Sequence, residues 1–153
     1  MPSTDALHGD RSAGGARKSP ARHLPTVARI LLGLIFFVFG LNGFLHFIPQ
    51  PKTGIPEEAV AFATALMNTG YMMPIVMGTQ LIVGVLLLVN RFVPLALALI
   101  APIIVGIISF HVFLAPAAIG PGVVVLELEL YLVWAYRHAF RPMLALRATP
   151  AGK

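Results

Sequence analysis

Cysteine is missing from all 153 residues, which excludes disulfides, thiolate-held metals and thiol redox chemistry by this chain. Charge is scarce as well: Asp, Glu, Lys and Arg make up 11%, against about 25% in soluble domains. No formally charged residue occurs from Ile30 to Gln50, from Ala59 to Asn90, or from Phe92 to Leu126. No Rossmann glycine pattern, phosphate loop or clear metal motif appears either. What is present is apolar. A water-soluble fold of this size cannot cover a chain that is 58% hydrophobic, but lipid can.

Each uncharged stretch exceeds the ~20 residues that cross ~30 Å of hydrocarbon as a helix. The expected fold is all-α: an integral membrane four-helix bundle over 26–141, with spans at about 27–48, 71–89, 95–114 and 122–140. Residues 1–25 read as a disordered basic tail and 142–153 as a C-terminal tail. The fourth span is the weakest, because Glu127 and Glu129 interrupt it at about 2.5–3.5 kcal/mol each near a span's centre. There VLELELYLV alternates like a strand, but a lone strand would leave its backbone unpaired in lipid, so helix is expected. Pro94 suits a first helical turn, Gly120-Pro121-Gly122 suits a turn, and Pro102 should kink the third span by freeing the carbonyl of Ala98. Between spans one and two, Pro56-Glu57-Glu58 opens a short amphipathic helix ending near Gly70. With Val60, Ala63, Leu66 and Met67 on one face, it should lie along the outer surface.

Ten of the eleven Lys and Arg residues fall in the N-terminal tail with Arg29, at Arg91, or from Arg137 onward, and only Lys52 falls elsewhere. The positive-inside rule then places both termini in the cytoplasm. Trp134 and Tyr136 come near the inner interface and Tyr71 near the outer one, as an aromatic belt requires. The net charge of +5 is explained by topology and anionic lipid, so the bilayer is the expected partner and nucleic acid is not.

This topology gathers polar groups at one end. Asn42 and His46 fall one turn apart on span one, His111 in the last outer turn of span three, and Glu127 and Glu129 in the first two turns of span four. All five should lie within roughly 10 Å of the outer surface, with Gln80 nearer mid-depth. Glu127 and Glu129 are about 200° apart, so only one can face the bundle. Helical position leaves the choice open, with Glu127 marginally favoured. Such a layer either holds helices in register by hydrogen bonds or marks ligand binding or proton transfer. His46 and His111 as haem ligands, or with a glutamate as a metal site, are lesser alternatives, and no metal is assigned. Gly33, Gly40, Gly43, Gly78, Gly84 and Gly106 allow close helix approach.

The runs ARILLGLIFFVFGLNGFL (28–45), GTQLIVGVLLL (78–88) and LIAPIIVGIISFHVFL (99–114), with polar positions Arg29, Asn42, Gln80 and His111 in order, resemble the DoxX family of four-helix bacterial membrane proteins. The resemblance covers about residues 27–141. It departs at Gly43, where members often carry a lysine, and at Gln80, where many carry a glutamate. The family takes its name from a subunit of a thiosulfate:quinone oxidoreductase. The resemblance therefore implies a bacterial plasma-membrane protein, a quinone as the candidate cofactor, and membrane or soluble redox subunits as partners. In that role His111 and Glu127 would handle protons, with Asn42 and His46 orienting the ligand. A non-enzymatic scaffold and a small proton-coupled transporter are the alternatives, and a second copy of the chain, forming a homo-oligomer, is a further candidate partner.

Overall fold

Five long helices follow one another through short connections in the computed structural model, which describes residues 23–49 and 54–144. They are α1 (Leu24–Leu45), α2 (Glu57–Asn68), α3 (Met72–Leu88), α4 (Val93–Phe113) and α5 (Ile119–Ala135). A single-turn α6 (Arg137–Phe140) and a 3-10 turn at Arg141–Leu144 follow. Among the described residues there is no strand, and VLELELYLV is helical throughout. Three helical segments, Leu24–Leu45, Val93–Phe113 and Pro116–Ala135, are long and apolar enough to cross a membrane. α2 and α3 pass that test only together, and the chain bends by 91° between them. α3 alone has 17 residues, the lower limit of about 17 for a span. The protein is thus a helical, multi-pass membrane bundle.

α3 runs antiparallel to α1 in backbone contact. A methyl group added at Gly40 would lie 2.5 Å from the amide nitrogen of Leu81, and one at Gly84 would lie 2.4 Å from that of Phe37. Only glycine lets the two helices approach so closely. The core is continuous through the bundle, with Leu32, Phe36, Val83, Leu87, Leu97, Ile100, Ile104 and Leu132 all fully buried. The α3–α4 turn is tight: Asn90 takes φ 57°, and the amides of Asn90 and Arg91 bond to the carbonyls of Leu87 and Leu86. Asparagine tolerates that left-handed position, and the paired bonds satisfy carbonyls left open at the helix end.

Several elements depart from the sequence expectations. α1 begins at Leu24, with Pro25 in its first turn, so residues 24 and 25 are helix rather than tail. The rest of the expected disordered tail, residues 1–22, lies outside the described residues, as do Lys52 and the C-terminal tail beyond 144. α1 stops at Leu45, where His46 turns left-handed (φ 52°) and its amide bonds to the carbonyl of Asn42 at 2.8 Å. The turn before α5 is not Gly120-Pro121-Gly122 but a 3-10 turn at Pro116–Ala118. Pro121 instead sits in the first turn of α5, where an amide hydrogen has no helical partner to lose. Pro102, by contrast, lies inside a helix as expected, α4 spanning Val93–Phe113. On α2 the inward positions are Ala59, buried, and Ala63 and Leu66, half-buried, whereas Val60 and Met67 point outward. The α2–α3 bend is fixed by Thr69, whose Oγ1 donates to the carbonyl of Leu66 at 2.6 Å and accepts from the amide of Met72 at 3.0 Å. Gly70 supplies the positive φ of 75°.

Candidate functional site

Four helices close around a pocket of about 600 Å³ at the end of the bundle where α1 and α4 finish and α3 and α5 begin. Its walls are mainly apolar, from Phe36 and Phe39 of α1, Met77 of α3, Ile107 of α4 and Val125 of α5. Three polar side chains enter it from three helices: Asn42, Gln80 and His111. The glycine contact explains how the first two meet. Gly40 lies against Met77 and Leu81, so the turn of α1 that bears Asn42 lies beside the turn of α3 that bears Gln80. Both amides are buried, at 8% and 7% exposure. His111 approaches across α5 at Gly122, where a methyl group would lie 3.5 Å from Nδ1.

The hydrogen bonds decide what each group still offers. Asn42 Oδ1 accepts from the amide of Ile48 at 2.7 Å, which leaves the Nδ2 hydrogens free to donate. His111 Nδ1 lies 2.7 Å from the carbonyl of Ile107. A carbonyl only accepts, so Nδ1 carries the hydrogen, and Nε2 of the neutral ring is an acceptor. Gln80 adds a primary amide with two donor hydrogens and one acceptor oxygen. Among the described residues, no Lys or Arg lines the pocket. It therefore suits an uncharged ligand that is mostly apolar and carries carbonyl or hydroxyl groups at one end. Among the lining residues, Phe39 of α1 and Val124 of α5 are about half exposed, and Ala118 and Pro121 are exposed as well, so the pocket is open to the surface. Behind His111, Phe110 packs edge-on against the imidazole, with centroids 5.4 Å apart, and Phe62 of α2 packs against Phe110 at 5.9 Å.

The remaining candidates lie elsewhere. His46 is exposed beyond the end of α1, so it does not share a helical face with Asn42. Haem or metal pairings that need His46 and His111 in one cavity lose their geometry. Among the described residues, no three His, Asp or Glu side chains group as metal ligands. Glu129, not Glu127, faces inward: Gly122, Val125, Glu129 and Leu132 form the buried stripe of α5, and Glu127 is exposed. Because α5 starts at Ile119, about three residues early, both glutamates lie roughly 4.5 Å further from the start of the helix than expected at ~1.5 Å per residue. Neither lines the pocket. Both carboxyl oxygens of Glu129 are enclosed without a hydrogen-bond partner among the described residues.

Arg29 was hidden by its charge. Counted with the basic tail in the sequence, it is in fact 7% exposed within α1, and its guanidinium donates to the carbonyl of Leu87 near the end of α3, with that of Leu88 at 3.4 Å. A cation there satisfies a helix C-terminus. Its place in the spacing Arg29, Gly33, Phe36, Gly40 was the available signal, since all four lie on the buried face.

The DoxX family model matches residues 24–117, which include Asn42, Gln80 and His111 and end just before α5. No curated protein and no solved structure gives a significant match to the chain.

Proposed function

This chain belongs to the DoxX family, and from that premise we propose that it is a membrane subunit of, or an accessory to, a quinone-linked oxidoreductase complex. The observation that carries the reading is the convergence of Asn42, Gln80 and His111 in one pocket that is uncharged among the described residues and open to the surface. Asn42 Nδ2 and the Gln80 amide would donate to the carbonyl oxygens of a quinone head, and His111 Nε2 would accept from a hydroxyl of its reduced form. The aromatic and aliphatic walls would flank the ring and exclude water. A bound quinone would supply two-electron redox chemistry, and the electrons would come from a partner subunit. With both termini in the cytoplasm of a bacterial cell, the pocket would lie in the outer half of the plasma membrane.

The test is purification from native membranes in mild detergent, with mass spectrometry and absorbance spectra of what accompanies the protein. A quinone at fixed stoichiometry, lost in His111→Ala but retained in His46→Ala, is the expected result. Protein that retains no quinone and binds none when it is added would reject the reading.

The enclosed carboxyl of Glu129 favours a second reading, a small proton-coupled transporter. Gradient-driven uptake into vesicles that disappears in Glu129→Gln would support it, and uptake indifferent to the gradient would remove it.

A further inference from the structure

α5 shows one face to the bundle and turns another outward. Gly122, Val125, Glu129 and Leu132 are buried, whereas Gly120, Val123, Glu127, Leu130 and Trp134 are all exposed. Alternate steps of three and four residues place those five on one stripe of the helix. A stripe that meets only lipid is apolar throughout, and this one carries a carboxyl at its centre. Glu127 is the middle residue of α5, which together with the turn before it is long and apolar enough to cross a membrane. About 12 Å of helix separates it from either end at ~1.5 Å per residue, too far for a glutamate side chain to reach the headgroups. Carboxyls at such depth almost always face protein or a water-filled cavity, because hydrocarbon offers them no hydrogen bond. Glu129 has the bundle around it, but Glu127 is on the far side of the helix.

We propose that a second copy of this chain covers the outward face of α5, the two helices packing along this stripe with Glu127 against Glu127. Three considerations select that occupant. Copies inserted in one membrane share one orientation, so a two-fold axis between them runs along the membrane normal and the two α5 helices are parallel. The stripe also has the heptad spacing of a left-handed helix pair, with Gly120, Glu127 and Trp134 at the first position and Val123 and Leu130 at the fourth. In a parallel pair like positions meet at like depth, so the two carboxyls come together. Lastly, a carboxyl is its own complement: in the acid form it donates through its hydroxyl and accepts through its carbonyl oxygen, and two of them satisfy each other without a cation. One polar residue at such a position fixes the register and the number of strands, as asparagine does in soluble coiled coils. Gly120 and Val123 towards one end let the backbones approach. The inference is independent of what fills the pocket, because Glu127 does not line it.

The chain has no cysteine, so single introduced cysteines report contacts between copies in native membranes. Val123→Cys and Leu130→Cys, oxidised with copper phenanthroline, should each give a disulfide-linked product of two copies. Val105→Cys, at 63% exposure on α4 and off the stripe, should give none. The strength of pairing is read by energy transfer between labelled full chains diluted in phosphatidylcholine vesicles. Glu127→Leu, an apolar change on an exposed face, should weaken pairing roughly 3–30-fold, the range of interhelical polar contacts in membranes. Glu127→Gln, which keeps a donor and an acceptor, should retain most of it. Absence of the product at both stripe positions, equal product at Val105→Cys, or pairing unmoved by Glu127→Leu would overturn the proposal. A product of one copy joined to another protein would give the face to a different subunit and overturn it as well.

Discussion

α1 faces two neighbours and meets them in opposite ways. Towards α3 it presents Gly40, and α3 answers with Gly84, so that backbone lies against backbone and nothing fits between. Towards α5 it presents larger side chains, of which Ile35 and Phe39 line the pocket and Leu31 lines a separate, shallower hollow. In lipid, apolar helices gain little from hiding apolar surface, so close packing is what makes a contact strong. The glycine seam therefore fixes the scaffold, and the bulky seam is free to admit a ligand. One helix supplies both.

The largest effect should come from destroying the tight seam. Gly84→Leu drives a side chain into the backbone of α1 at Phe37 and should cost about 3 kcal/mol or more. Thermal unfolding in detergent would register this as a fall of roughly 6–12 °C, and an unchanged melting temperature would contradict the contact. Next is Arg29→Met, which takes the charged donor from the end of α3 and should cost about 1.5–3 kcal/mol in the same assay. Third, His111→Leu should weaken quinone binding about tenfold with little change in melting temperature, since the side chain is only half-buried and its one protein bond is local. Equal loss of stability and binding would assign His111 to the scaffold instead. The smallest effect belongs to Glu127→Gln. It lies off the pocket, so quinone binding in the same assay should be unchanged.

Much of this arrangement was legible in the sequence. Long uncharged runs can only be membrane helices, so the bundle followed from composition, and the gathering of Asn42 and His111 at one end followed from counting along antiparallel spans. What failed was register. Gly120-Pro121-Gly122 reads as a turn, yet a proline is equally at home in a first helical turn, and the choice moved both glutamates about three residues further along the helix. His46 left the layer because the side chain of Asn42 reaches the amide of Ile48 just past the helix end, a contact that spacing does not reveal. Arg29 was assigned by charge when its helical position carried the information. Which glutamate faces inward depends on which stripe of α5 meets the core, and a helix apolar almost all round does not declare that.

Asn42 has one further consequence. The same side chain that lines the pocket holds, through its amide oxygen, the first residues beyond the bundle. A ligand carbonyl that draws on the nitrogen polarises the oxygen and strengthens its hold on Ile48. Occupancy inside the membrane is thereby written onto a backbone amide outside the helix, where slowed deuterium uptake at Ile48 would report a filled pocket without any label on the ligand.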